Sequence, residues 1–143
     1  MIDLDCIEEK MRSQLPEVQL IALFGSQAKG TATARSDWDL AVAKTPDSYM
    51  GMQYFALQEK ISELLEISFD QIDLIDLRTA SPLLSFAIAR EGKPLYESIP
   101  GTFRVFQVKA SKVYADTAKL RRFQQAYIGF ESRARQAELI NAE

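Results

Sequence analysis

The chain has 143 residues, 47% of them hydrophobic and 26% charged, with a net charge of −3, which fits one globular domain and argues against a dedicated nucleic-acid binder. It contains no histidine and a single cysteine, which removes Ser-His-Asp triads, histidine-based zinc sites and any internal disulfide. No run approaches the roughly 20 apolar residues of a membrane span, and the acidic start MIDLDCIEEK lacks the apolar stretch of a secretory signal, so a cytoplasmic protein is expected.

In chain order, Leu4, Ile7, Met11 and Leu15 lie at helical spacing, and the pattern predicts a helix over 3–14 that Pro16 closes. Residues 18–24, Val-Gln-Leu-Ile-Ala-Leu-Phe, predict a strand cut off by Gly25, with a turn of helix over 26–30. A second strand is expected over 37–43. Pro46 and Asp47 then open a long helix to about Leu65, with Met50, Tyr54, Leu57, Ile61 and Leu64 on one face. Residues 69–77 read as a third strand. Ser81 as N-cap and Pro82 at the first helical position start another helix, and Gly92 ends it. Residues 93–96 suit a short edge strand, where Pro94 is tolerated. After Pro100-Gly101, residues 102–139 read as one long helix with a kink at Gly129. The expected fold is α/β (α+β): a small mixed β-sheet backed by helices over residues 1–98, followed by a C-terminal helical arm over 99–143.

The chemistry concentrates in residues 23–42, LFGSQAKGTATARSDWDLAV. Gly25 ends a strand where a backbone without a Cβ can approach a phosphate closely. Ser26 starts a helical turn whose free N–H groups and hydroxyl suit an anion. Lys29, one turn on, places positive charge beside a triphosphate. Asp37 and Asp39 are two apart on a strand and point to one face, while Trp38, Leu40 and Val42 point to the other. Two carboxylates so close raise each other's pKa unless a cation lies between them, and hard oxygen ligands suit magnesium. A third carboxylate is expected from a neighbouring strand, where Asp70, Asp73 and Asp76 are available. If Ile72 and Leu74 pack inward, Asp73 lies on the metal face and the other two have the wrong parity.

The strand ending at Phe24, GSQAKG at 25–30, SDWDLAV at 36–42 and IDLIDL at 72–77 resemble the polymerase-β-like nucleotidyltransferase superfamily. More narrowly, the chain resembles its minimal nucleotidyltransferase (MNT) proteins, and SPLLSFAIAREGKPLYE at 81–97 looks like that family's next helix and strand. Gln27 stands where the family often has arginine, and Trp38 where it often has an aliphatic residue. The resemblance implies two Mg²⁺ ions held by Asp37, Asp39 and Asp73, ATP as substrate, and a triphosphate gripped by Gly25 and Ser26. It also implies an antitoxin that transfers AMP to a tyrosine of a HEPN-family ribonuclease toxin. The alternatives are an aminoglycoside-type transferase, which calls for a larger C-terminal domain to hold the sugar, and a non-enzymatic antitoxin, against which the intact aspartates argue.

Charge is uneven: residues 1–100 carry a balance of −7 and residues 101–143 one of +4. Phe103, Phe106, Ala110, Val113, Thr117, Leu120 and Tyr127 form a stripe along the arm. Its first reading is packing on the core; the alternative is a partner-binding face, to which Tyr114, Phe123 and Phe130 add apolar area. A hetero-oligomer with the toxin through this arm is expected, with no direct nucleic-acid binding.

Overall fold

The all-apolar tail of Val18–Phe24 marks a strand covered on both faces, and it is the hub of the sheet. The structure, a computed structural model, describes residues 4–33, 35–45 and 54–141. Helix α1 (Leu4–Gln14) leads into β1 (Val18–Phe24), the short α2 (Gly25–Lys29) and β2 (Trp38–Lys44). Helix α3 (Tyr54–Leu65), a 3-10 turn (Phe69–Gln71), β3 (Ile72–Asp76), α4 (Pro82–Glu91) and β4 (Lys93–Glu97) follow. The chain ends in α5 (Thr102–Asp116) and α6 (Ala118–Asn141). The expected opening of α3 at Pro46 and Asp47, with Met50, lies outside the described residues.

The four strands run in the order β3-β2-β1-β4. β1 is antiparallel to both neighbours and β2 is parallel to β3, so the sheet is mixed, as expected. Strand alternation sends Ile21, Leu23, Leu40, Val42, Ile72 and Leu74 to one face, where α1 supplies Ile7 and Met11 and α3 supplies Leu57, Ile61 and Leu65. The other face carries Leu20, Ala22 and Ala41 under Ile88 of α4 and Phe103 of α5. The small Ala22 and Ala41 let these two helices sit close to the strands.

Among the differences from the sequence reading, three bear on the site and the arm. β2 starts at Trp38, so Asp37 stands just ahead of the strand. β3 starts at Ile72, because Phe69–Gln71 coil into a 3-10 turn closed by the Gln71 N–H donating to Ser68 O. The long C-terminal helix is present as α6, but the break falls at Thr117, and Gly129 lies inside α6. At the break the Thr117 hydroxyl donates to the Tyr114 carbonyl, and the Arg121 guanidinium donates to the Thr117 hydroxyl and to that same carbonyl. These bonds satisfy the end of α5 locally and let α6 begin at once.

The arm stripe divides at this joint. Phe103 and Ala110 are buried and Phe106 half-buried against the sheet. Val113, still on α5, is already 39% exposed, and beyond Thr117 Leu120, Phe123, Tyr127 and Phe130 are more so, so packing on the core ends near the end of α5. The core-packing reading holds for α5, and the part of the stripe on α6 is left on the surface. No described helix is long and apolar enough to cross a membrane.

Candidate active site

The site forms where β1 ends and β2 begins. Leu23 pairs with Leu40 and Phe24 with Asp39, so the turn after β1 lies beside the carboxylate of Asp39. Gly25, at φ 72°, makes that turn in the left-handed region. A Cβ at position 25 would collide with the Asp39 carboxylate. The backbone angle therefore favours glycine here, and any side chain would also have to push the Asp39 carboxylate aside.

On the other side of β2, Asp39 pairs in register with Asp73 of the parallel strand β3. Cross-strand partners in register project from the same face. Ile72 and Leu74 are buried on the α3 side while Asp73 is exposed on the opposite face. The structure thus brings Asp39 and Asp73 together, as the parity argument required. Asp37, exposed, arrives from a turn tied by the Thr33 N–H donating to Ser36 Oγ at 2.8 Å and by the Ser36 N–H donating to Thr33 O at 3.0 Å.

The other two acids act on Asp39. Burial, then the charge of Asp73, then that of Asp37, push the Asp39 carboxyl above its ordinary value. A side chain held at such cost, on a face lined by two more anions, fits a cation site of hard oxygen donors. Among the described residues, no three acidic, cysteine or histidine side chains are already gathered tightly enough to clasp a metal by themselves.

Of the remaining candidates, Ser26 is half-buried in the first turn of α2, where no side chain caps the free N–H groups. Lys29, at the far end of α2, reaches Glu91 of α4, with Nζ 3.2 Å from the carboxylate and both side chains about half exposed. Two contributors were not visible as site residues in the sequence. Tyr54 and Gln58 of α3 bond the backbone around Asp73, Tyr54 Oη to the Leu74 carbonyl at 2.6 Å and Gln58 Nε2 to the Ile72 carbonyl at 2.9 Å.

Residues 6–99 match the family described as Polymerase beta, Nucleotidyltransferase. The chain belongs to this family. Within it, the chain is 33% identical over 104 residues to the protein adenylyltransferase MntA of Aphanizomenon flos-aquae, covering 68% of this chain and 69% of that protein. It is 34% identical over 104 residues to MntA of Shewanella oneidensis, covering 73% and 71%. Among solved structures it is similar to a chain of a toxin–antitoxin complex with AMP-PNP, at 31% identity and a TM-score of 0.67, covering 91% of this chain and 98% of that one. It is likewise similar to a chain in the complex of the tri-AMPylated Shewanella oneidensis HEPN toxin with its MNT antitoxin, at 28% identity and a TM-score of 0.60, covering 91% and 99%. The match to this nucleotidyltransferase family runs from within α1 to the turn after β4, leaving α5 and α6 outside it.

Proposed function

We propose that this nucleotidyltransferase is the antitoxin of a HEPN/MNT pair, which moves AMP from ATP onto a tyrosine hydroxyl of a cognate HEPN ribonuclease toxin and silences it. The observation that carries the reading is the in-register pair Asp39 and Asp73 on β2 and β3, facing the same way beside the Gly25 turn. The relatives support the reaction and the partner: two are named protein adenylyltransferases, and one complex holds an AMPylated HEPN toxin.

Asp37, Asp39 and Asp73 would hold two magnesium ions, which when bound neutralise the triphosphate and acidify the attacking hydroxyl. The chain's own groups do the remaining work. Gly25 opens room for the β- and γ-phosphates, and the Ser26 hydroxyl and the first N–H groups of α2 donate to them. Lys29 adds positive charge to the same phosphates once it turns away from Glu91. Asp73 accepts the phenolic proton as the tyrosine oxygen bonds to the α-phosphorus. The bond from that phosphorus to the bridging oxygen breaks, and pyrophosphate leaves. The core, residues 1–98, performs the transfer, and the arm, residues 99–143, holds the toxin in a cytoplasmic hetero-oligomer.

The test is intact-mass analysis of the toxin, co-expressed with this chain and incubated with ATP and Mg²⁺. The expected result is a mass gain of one or more AMP units, mapped to tyrosine by fragmentation and absent with an Asp37→Ala/Asp39→Ala chain. An unmodified toxin that the double variant neutralises equally well would overturn the reading.

A further inference from the structure

Gln58 is the one polar side chain among the described residues that is buried, at 7% exposure, and it sits inside the apolar layer between α3 and the sheet. An amide there is costly unless its hydrogen bonds are made. They are made, and to one place: Nε2 donates to the carbonyl of Ile72 at 2.9 Å and to that of Phe69 at 3.1 Å. One helical turn earlier on the same face of α3, the Tyr54 hydroxyl donates to the carbonyl of Leu74 at 2.6 Å. The two side chains therefore grip the residues immediately before and after Asp73.

Asp73 needs such support. β3 is five residues long and lies at the edge of the sheet, paired among the described residues with β2 alone. A 3-10 turn precedes it, and at its end the Asp76 carbonyl accepts a bond from the Thr79 N–H in a turn. The Ile72 carbonyl belongs to the peptide that leads into Asp73, and the Leu74 carbonyl to the peptide just beyond the next residue. Fixing both limits the backbone angles that aim the Asp73 carboxylate. We propose that Tyr54 and Gln58 are positioning residues for AMP transfer, holding the Asp73 carboxylate in register with Asp39 by clamping the backbone on either side of it. This rests on the reading of Asp73 given above.

The test uses the full chain co-expressed with its toxin, as parent, Tyr54→Phe, Gln58→Met and the double variant. It measures kcat and KM for ATP in Mg²⁺, amide hydrogen exchange over 72–76, and thermal melting. The expected result is a kcat lowered roughly tenfold in each single variant and roughly a hundredfold in the double, as for a group displaced by about an ångström. KM for ATP stays close to the parent value, and the amides around Asp73 exchange faster. A lowered melting temperature with kcat unchanged below the transition would mean a merely structural role and overturn the proposal. Tyr54→Phe removes a single oxygen from a half-buried ring, so it decides the matter even where Gln58→Met fails to fold. Asp73→Asn separates the two layers of inference. A fully active Asp73→Asn chain overturns the role of Asp73 itself. An inactive one beside fully active Tyr54→Phe and Gln58→Met chains overturns the clamp alone.

Discussion

Gly25 and Asp39 face each other across the β1–β2 pair so closely that a methyl group on one would overlap the carboxylate of the other. The positive φ of Gly25 adds a second objection to any side chain there. Gly25→Ala is therefore expected to cost about 1–3 kcal/mol from backbone strain. It should also displace Asp39 and slow AMP transfer by roughly a hundredfold. Denaturant melts and initial rates on the same preparation check both, and parent-like rates would show that the turn tolerates a Cβ.

The raised pKa of Asp39 has a stability consequence with a definite sign. An acid that binds its proton more tightly in the folded than in the unfolded chain favours folding when protonated. That contribution is complete below the ordinary value of 3.8 and is lost as pH rises through the raised folded value. Asp39→Asn, which carries no charge, should therefore melt a few degrees higher than the parent near pH 7 without divalent ions. The advantage should vanish near pH 3, and added Mg²⁺ should raise the melting temperature of the parent only. Transfer activity should be lost at every pH. Equal melting curves at pH 7 would remove the electrostatic argument for this site.

Lys29 and Glu91 form a half-exposed pair, a geometry in which the two charges contribute about 0–1 kcal/mol to stability. Lys29→Met should leave the melting temperature nearly unchanged. If Lys29 turns to the triphosphate in the complex, that variant raises KM for ATP several-fold, and Glu91→Gln, which frees the lysine, lowers it. ATP titrations of both variants check this, and two unchanged KM values would confine Lys29 to the surface pair.

The exposed Phe123 and Tyr127 lie four apart on α6, past the point where packing on the core ends. Replacing both with serine should leave the melting temperature and circular dichroism close to those of the parent. Toxin binding should weaken tenfold or more, since exposed aromatic anchors dominate many interfaces. Titration calorimetry with the toxin decides this, and unaltered affinity would move the docking surface elsewhere.

Much of this was legible in the residues themselves. The strand alternation that put Ile72 and Leu74 inward also put Asp73 outward, on the face of Asp39, while the register that pairs the two is set by the β2–β3 ladder. Ser81 and Pro82 opened α4 as their chemistry dictates, with Ser81 Oγ accepting from the Leu84 N–H at 3.1 Å. Gly92 does end α4, yet at φ −74°, so it is needed for space against the Ile88 carbonyl rather than for a left-handed turn. What stayed hidden depended on distant partners. Gln58 looks like any surface glutamine in a helix until the 3-10 turn and β3 present two carbonyls to it. At the Thr117 break Arg121 folds back over the Tyr114 ring, 3.7 Å above its centre, a contact that helical spacing alone does not announce.

The hydrogen bonds from α3 to β3 also bear on how the protein avoids its own kind. A border strand with idle carbonyls invites a strand from another molecule. Here Ile72 and Leu74 already hold donors from Gln58 and Tyr54. At the opposite border, Pro94 brings no N–H to β4 and Lys93 brings a charge. Loosening the grip on β3 should therefore show itself in solubility as well as in turnover, because the same two side chains steady a carboxylate and close a sheet margin against aggregation.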